Sequence, residues 1–338
     1  MSNVTVKFWG VRGSVPTPLL PSQVEDKIAA AAVKILQSCT WDGLSEGIEL
    51  PPLNEASIKE WMRQNLTFAE RSTFGGNTTC VEVRCDDHLL IFDMGTGIRE
   101  LGNSLIPETI KNKGVSGTIF QSHVHWDHIQ GYPFWPQLYM SRKQFDNYFK
   151  FFGGKDWDKS LDDALRGQMN PPMFPIDHRE LEKTGLRMDF ETIWDGREID
   201  LPGGIRILCR KLNHPQETYG YRVEYHGKVV TFCTDHEPYA ALHQPLVELA
   251  KGADLFITDC QYTYHEYAGA KGVPKLGWGH SFPEYIAQVA QTAKCKQIAT
   301  THHDPGAHDA HVTHIAQSVE QLSGTPACAA YEGLVLNV

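Results

Sequence analysis

The stretch Thr118-Ile-Phe-Gln-Ser-His-Val-His-Trp-Asp-His128 closes an apolar run with His123, His125, Asp127 and His128 inside six residues. Neutral imidazole and carboxylate are ligands that zinc and its neighbours among the first-row divalent metals accept. A lone histidine at a strand end is ordinarily a structural hydrogen-bonding residue, but packing alone rarely gathers three imidazoles and a carboxylate so closely. A turn after a strand can aim His123 and His125 at one ion, and Asp127 and His128 at a second. Four donors do not close two sites, and three later apolar runs offer the rest in the same format: Arg206 to His214, Val229 to Asp235 and Gln297 to His302. The expected arrangement is His123, His125 and His214 on one metal, Asp127, His128 and His302 on the other, and the Asp235 carboxylate shared between them. His302 is preferred over His303 because it comes first off its strand. Two divalent ions are therefore the expected cofactors. Zinc is the first choice, although this ligand set also suits manganese and iron.

Donors so far apart in the chain need a scaffold that ends many strands at one edge. Apolar runs and alternation predict strands at 3–9, 79–85, 88–92, 116–122, 205–212, 219–225, 228–234, 254–259, 296–301 and 328–337, with a hairpin turning at His226-Gly227. Helices are predicted at 23–38, 55–66, 97–103, 239–251, 282–293 and 309–322. Ser22 to Glu25 and Ser281 to Glu284 read as capping boxes, the second with Pro283 in the first turn. Strands dominate early and strand–helix alternation dominates late, which favours a mixed, layered α/β domain. The whole chain, 1–338, is expected to be one domain carrying a helical insertion at about 18–73 and an aromatic, Pro-rich one at about 133–190.

Composition narrows the partners. The chain has 31 Lys+Arg against 41 Asp+Glu, a net charge of −10. No extended nucleic-acid surface and no grip on an anionic membrane are expected from that balance, but a small anionic substrate could still reach the metals. With 41% hydrophobic and 21% charged residues the chain is of the folding kind. No run approaches the roughly 18 apolar residues of a membrane span, and Met1 to Trp9 reads as a strand, not a signal segment. The eight cysteines include no C-x-x-C pair, so scattered thiols in a reducing cytoplasm are expected.

The H-x-H-x-D-H cluster, followed by His214, Asp235 and His302 at later strand ends, resembles the metallo-β-lactamase fold hydrolases from Lys7 to Val338, apart from the two insertions. The resemblance implies a four-layer αββα sandwich of the α/β (α+β) class with a dinuclear site at one sheet edge. Leu90-Ile-Phe-Asp-Met-Gly-Thr-Gly97 is similar to that family's first motif, which implies that Asp93 orients a ligating imidazole by accepting its other N–H. Read from the residues alone, Asp93 equally caps the turn before Gly95.

Phe8-Trp-Gly-Val-Arg-Gly-Ser-Val-Pro-Thr-Pro18 and Phe74-Gly-Gly-Asn-Thr-Thr-Cys80 resemble the N-terminal signature of the phosphodiesterase-like branch. That branch holds tRNA 3′-processing endonucleases, PhnP-type phosphodiesterases and cyclic nucleotide phosphodiesterases. Within it, Gly277-Trp-Gly-His-Ser281 implies that His280 assists protonation at the scissile phosphate. The expected activity is hydrolysis of a small phosphodiester, such as a cyclic nucleotide, by a metal-bridging hydroxide, with His280 and Asp127 as catalytic residues. A thioester or lactone hydrolase, a tRNA-processing endonuclease and a metal-binding sensor with a vestigial site are the alternatives. The net charge and the absence of a Gly/Pro-rich arm weigh against tRNA.

Several residues stay open at this level. His236 either touches phosphate or packs beside Asp235, and Asn77 with Thr78 either meets substrate or closes a Gly-rich turn, the turn being preferred. Trp126 is expected to pack beneath the metal motif, and His308, His311 and His314 to lie on a helix surface. The aromatics of 133–190 either stack a base or pack onto the core. Segment 18–73 either lids the site or forms a homodimer contact.

Overall fold

Val4, Val6 and Phe8 alternate with Thr5, Lys7 and Trp9 along strand β1 (Val4–Gly10), so one face of the strand is fully buried and the other only partly. The computed structural model describes residues 4–38, 54–270 and 272–338; Cys39 and part of the first insertion lie outside them. β1 belongs to a seven-stranded sheet in the order β16-β1-β2-β3-β4-β5-β8. Its other members are β2 (Cys80–Cys85), β3 (His88–Phe92), β4 (Ser116–Phe120), β5 (Tyr148–Gly153), β8 (Arg187–Thr192) and β16 (Val335–Asn337). β6 (Lys155–Asp156) and β7 (Lys159–Ser160) form a separate small ribbon. The second seven-stranded sheet runs β15-β14-β13-β12-β11-β10-β9. It comprises β9 (Glu198–Leu201), β10 (Ile205–Leu212), β11 (Thr218–Tyr225), β12 (Lys228–Cys233), β13 (Leu255–Asp259), β14 (Ile298–Thr301) and β15 (Ala327–Ala329).

The two sheets face each other across one apolar layer that includes Val6, Phe8, Phe92, Phe120, Tyr221, Val223, Phe232 and Ile257. Ile98, Leu101 and Leu105 of helix Gly97–Asn112 cover the outer face of the first sheet. Helices Gln244–Ala250, Pro283–Ala293 and Asp309–Ser323 cover the outer face of the second through Leu246, Ile286 and Ile315. Helix, sheet, sheet and helix make four layers, as the family resemblance implied. No helix among the described residues is long and apolar enough to cross a membrane. The seven described cysteines are free thiols.

Three local expectations are corrected. Segment 133–190 is more than an appendage, because β5 and most of β8 are strands of the first sheet. Its Trp135, Phe149 and Phe151 are fully buried in the layer under the first sheet, so they pack and do not stack a base. The run 328–337 is two strands, β15 and β16, in different sheets, and the chain crosses between them. Neither capping box forms as read. The first helix already starts at Pro21, where Gln23 Oε1 accepts the Leu20 N–H; the helix Pro283–Ala293 has Phe282 at its N-cap, because the Ser281 hydroxyl donates to the carbonyl of His236 instead.

Candidate metal centre

Strand direction explains why distant residues meet. β3 and β4 run parallel, as do β12, β13 and β14. β10 is antiparallel to β11, which is antiparallel to β12, so β10 points the same way as β12. The same double reversal through β2 aligns β1 with β3. All these strands therefore release their C-terminal ends at one edge, where open parallel sheets collect ligand-binding residues. The residues at or just beyond those ends are Ser14, Asp93, His123 to His128, His214, Asp235, Asp259 and His302. Four of them leave their strand or turn through the left-handed region, with φ of 63° at Ser14, 63° at Asp93, 59° at Asp235 and 56° at His302. Non-glycine residues hold such angles at a cost on the order of 1 kcal/mol each, and strain of this kind concentrates at functional sites.

The donor atoms fall into two groups that meet at Asp235. One atom each from His123, His125, His214 and Asp235 lies within 4.8 Å of the others, and the same holds for Asp127, His128 and His302. Asp235 Oδ2 is 3.3 Å from both His123 Nε2 and His128 Nε2, and Asp235 Oδ1 is 3.2 Å from His302 Nε2. Asp127 Oδ2 is 3.1 Å from His302 Nε2 and 3.3 Å from His128 Nε2. His214 Nε2 sits 3.3 Å from His125 Nδ1. His303 turns the other way, its Nε2 lying 2.9 Å from the carbonyl of Ala330.

These residues fit divalent cations on their own chemistry. His128 Nε2 and His302 Nε2 approach to 3.1 Å while their opposite nitrogens are engaged elsewhere, by Asp93 and the Gln261 amide. Each of these two Nε2 atoms also lies within 3.3 Å of Asp127 Oδ2 and of an Asp235 carboxylate oxygen, a compact set of nitrogen and oxygen donors of the kind a divalent cation takes. The buried His123 Nε2 makes no hydrogen bond, although Ser122 Oγ is 3.0 Å from its Nδ1. Burial, helped by His280 and His125 and opposed by Asp235, pushes His214 down to about 4, and burial also holds His123 well below its ordinary value. Both effects favour the neutral imidazole that ligates.

A supporting layer holds the donors. Asp93 Oδ2 lies 2.7 Å from His128 Nδ1 and accepts the Ser122 hydroxyl at 2.8 Å, while Oδ1 accepts the Ser122 N–H at 2.7 Å. The Ser14 N–H donates to Asp127 Oδ2 at 2.7 Å. His214 Nδ1 is 3.1 Å from the carbonyl of Gly279. Fixed partners of this kind set the tautomer and direction of each ring.

His280 is buried beside the cluster, its Nδ1 3.4 Å from Asp259 Oδ2, and a third group of atoms within 4.8 Å of one another joins it to Asp235 and His302. Burial opposes a charge on His280, but the contact with Asp259 and the charges of Asp235 and Asp127 outweigh it and raise the imidazole above its ordinary value. Asp259 was missed from sequence. It also accepts the N–H groups of Ser281 and His236, at 3.0 and 3.2 Å. The signal was present: Leu255-Phe-Ile-Thr-Asp259 is an apolar run ending in Asp, the same format as the run ending in Asp235.

His236 is fully buried with its ring stacked on Tyr285 at 5.6 Å, so it packs and does not face the site. Asn77 closes a turn: its side chain donates to Glu332 at 3.0 Å and its carbonyl accepts the N–H groups of Val11 and Arg12. Trp126 overturns its expectation, since its side chain is 72% exposed at the mouth of the site and packs beneath nothing. His308 and His314 are exposed and His311 is half-buried. A cleft of about 410 Å³ opens onto the cluster, lined by Ser14, His125, Trp126, Asp127, His214, Asp235, Gly277, Trp278, His280 and His302.

Two facing sheets under helices, with histidines and aspartates converging at one sheet edge, define a metallo-β-lactamase fold. The chain matches the profile of the beta-lactamase superfamily domain over residues 88–303 and belongs to that family. It is 35% identical over 122 residues to ribonuclease Z of Brevibacillus brevis, a match covering 36% of this chain and 32% of that protein. It is 30% identical over 112 residues to ribonuclease BN of Proteus mirabilis, covering 32% of each. The matches thus span about a third of these relatives' length. Among solved structures, YhfI of Bacillus subtilis superposes with a TM-score of 0.61 at 14% identity, covering 100% of both chains. The short form of human tRNase Z gives 0.56 at 16% identity, covering 98% of both. A diphosphatase of the PhnP family gives 0.57 at 16%, covering 98% of this chain and 97% of that one. Likeness at these identities concerns the fold.

Proposed function

We propose that the protein is a metal-dependent phosphodiester hydrolase, with RNA as its preferred substrate class. The observation that carries this reading is the pair of buried donor groups meeting at Asp235, with His280 beside them at the same cleft. His123, His125 and His214 would hold one cation, Asp127, His128 and His302 the other, with Asp235 between. Bound there, the pair supplies a water of lowered pKa and neutralises charge on the non-bridging phosphoryl oxygens.

The chain's own groups do the rest. Asp93, Ser122, Gln261 and the Ser14 N–H keep the donors in register before substrate arrives, which is preorganisation. The Asp259 carboxylate, 3.4 Å from His280 Nδ1, favours the protonated ring, whose proton can be delivered to a leaving alkoxide. The ribonuclease relatives move the preferred substrate from the small cyclic diester expected from charge to an RNA phosphodiester. With a net charge of −10, the small diester remains the second reading, because an acidic surface holds polyanions poorly.

The test is to load the protein with zinc or manganese and count metal by mass spectrometry. Hydrolysis is then assayed on a precursor tRNA with a 3′ trailer, a 3′,5′-cyclic nucleotide, bis(p-nitrophenyl) phosphate and a thioester. Metal-dependent diester cleavage, fastest on the RNA, is the expected result. Thioester turnover without diester turnover, or a protein that retains no metal, sinks the proposal.

A further inference from the structure

Two tryptophans stand exposed at the mouth of the cleft. Trp126 is 72% and Trp278 50% exposed, and both line the same cleft as the metal-binding histidines. Scattered exposed apolar residues need no explanation, and Trp157 and Trp194 are also exposed but line no part of this cleft. What separates the first two is that the fold is built to hold them there.

Trp278 sits on a fixed loop. The buried Glu237 accepts the N–H of Gly277 and, at 3.0 Å, that of Gly279, on either side of the tryptophan, and also the Tyr267 hydroxyl. Gly277 and Gly279 have φ of 84° and 89°, and a Cβ at Gly279 would stand 2.1 Å from His214 Nδ1. The loop is thereby pressed against a metal-binding histidine. Lys275 Nζ lies 3.9 Å from the centre of the Trp278 ring, a cation–π contact that also brings positive charge to this rim. Trp126 is held between His125 and Asp127, so its backbone is fixed by the site itself. A buried carboxylate and two glycines spent on presenting a solvent-facing indole indicate a ligand with a flat apolar face. Beside a phosphodiester site, that face is a nucleobase, since every base has one and stacks on indole without sequence preference.

We propose that Trp126 and Trp278 form an aromatic subsite that stacks an unpaired nucleobase attached to the phosphodiester at the metal centre. The proposal rests on the phosphodiesterase reading and sharpens it: the substrate is single-stranded next to the bond that breaks, because a paired base does not offer its face. Trp126 and Trp278 are then residues that determine specificity.

Calorimetric titration of the zinc-loaded full chain with AMP and with ribose 5-phosphate isolates the base, since both ligands carry the same phosphate. AMP should bind roughly tenfold more tightly. The Trp126→Ala/Trp278→Ala double variant should lower that ratio to near unity. The Trp126→Phe and Trp278→Phe variants should keep most of it, and metal content and circular dichroism report whether each variant is folded. A ratio near unity in the native protein, absence of binding by both ligands, or a ratio that survives in the folded double alanine variant would overturn the proposal. Turnover of bis(p-nitrophenyl) phosphate by the same native sample reports the underlying reading separately. No turnover removes phosphodiester chemistry itself, whereas turnover with a ratio near unity removes only the aromatic subsite.

Discussion

Asp93 and His128 are joined by a contact of 2.7 Å between two fully buried side chains, and the same carboxylate binds both the hydroxyl and the N–H of Ser122. One acid thus orients His128 directly and His123 through Ser122, which ties both donor groups to a single residue. Asp93→Asn suits the test because asparagine tolerates the left-handed backbone but cannot accept all three bonds. Zinc affinity should fall about 10- to 100-fold, measured by competition with a chromogenic chelator on folded protein. Unchanged affinity would show that Asp93 only caps its turn.

His280 and Asp259 should reveal themselves through the leaving group. With a poorly leaving alkoxide, His280→Ala should lower kcat by about 10²- to 10⁴-fold, and Asp259→Asn by less. With p-nitrophenolate, which departs without a proton, the loss should be far smaller. Equal losses on both substrates would mean that His280 acts on the metal site and not on the leaving group.

The turn carrying the metal motif has no room for a side chain at Gly131, where a Cβ would stand 2.0 Å from the carbonyl oxygen of Gly95. Backbone against backbone cannot be relieved by a rotamer change. Gly131→Ala should cost about 3 kcal/mol, at the upper end for overpacking, read from the denaturant midpoint. Gly167, in helix Leu161–Gln168, has nothing within 4 Å of its would-be Cβ. Gly167→Ala should instead gain roughly 0.4–1 kcal/mol.

His178 lies 2.7 Å from the Tyr132 hydroxyl, and both are buried. Burial, then the charge of Arg166, holds this imidazole below its ordinary value against Glu182, Asp162 and Asp177. The unfolded chain binds the proton near pH ~6.5 and the folded chain only at lower pH. This share of stability is therefore intact above that value and is lost as pH falls below it. Denaturant midpoints should drop more steeply on acidification for the native protein than for His178→Gln; parallel curves would refute the assignment.

The clustering of His123, His125, Asp127 and His128 was legible because these donor types are dense in sequence. His214, Asp235 and His302 were legible because each ends an apolar run, which is what a strand reaching a sheet edge looks like. The runs at 205–212 and 88–92 coincide with β10 and β3. β5 and β8 were missed because Tyr148–Gly153 sits among Pro, Gly and aromatic residues that read as an elaboration, and Arg187–Thr192 has mixed polarity. Both are strands because β5 pairs with β4 and β8 with β5, contacts no local pattern records. The 282–293 helix was read correctly in extent but not in its cap, since the Ser281 hydroxyl had a partner on a distant strand end.

Four metal-type donors fall within six residues, His123 to His128, and from them sequence alone determined the family and the strand ends that had to converge. It did so because ligand identity and apolar periodicity are local properties, written within a few residues of each other. Which way each side chain faces was decided only by tertiary structure. Asp259 joined His280, His236 turned away toward Tyr285, and Trp126 rotated out to the cleft. Those outcomes depend on strand direction across two sheets and on which partner fills each buried hydrogen bond, relationships that exist only once residues far apart in the chain are in contact.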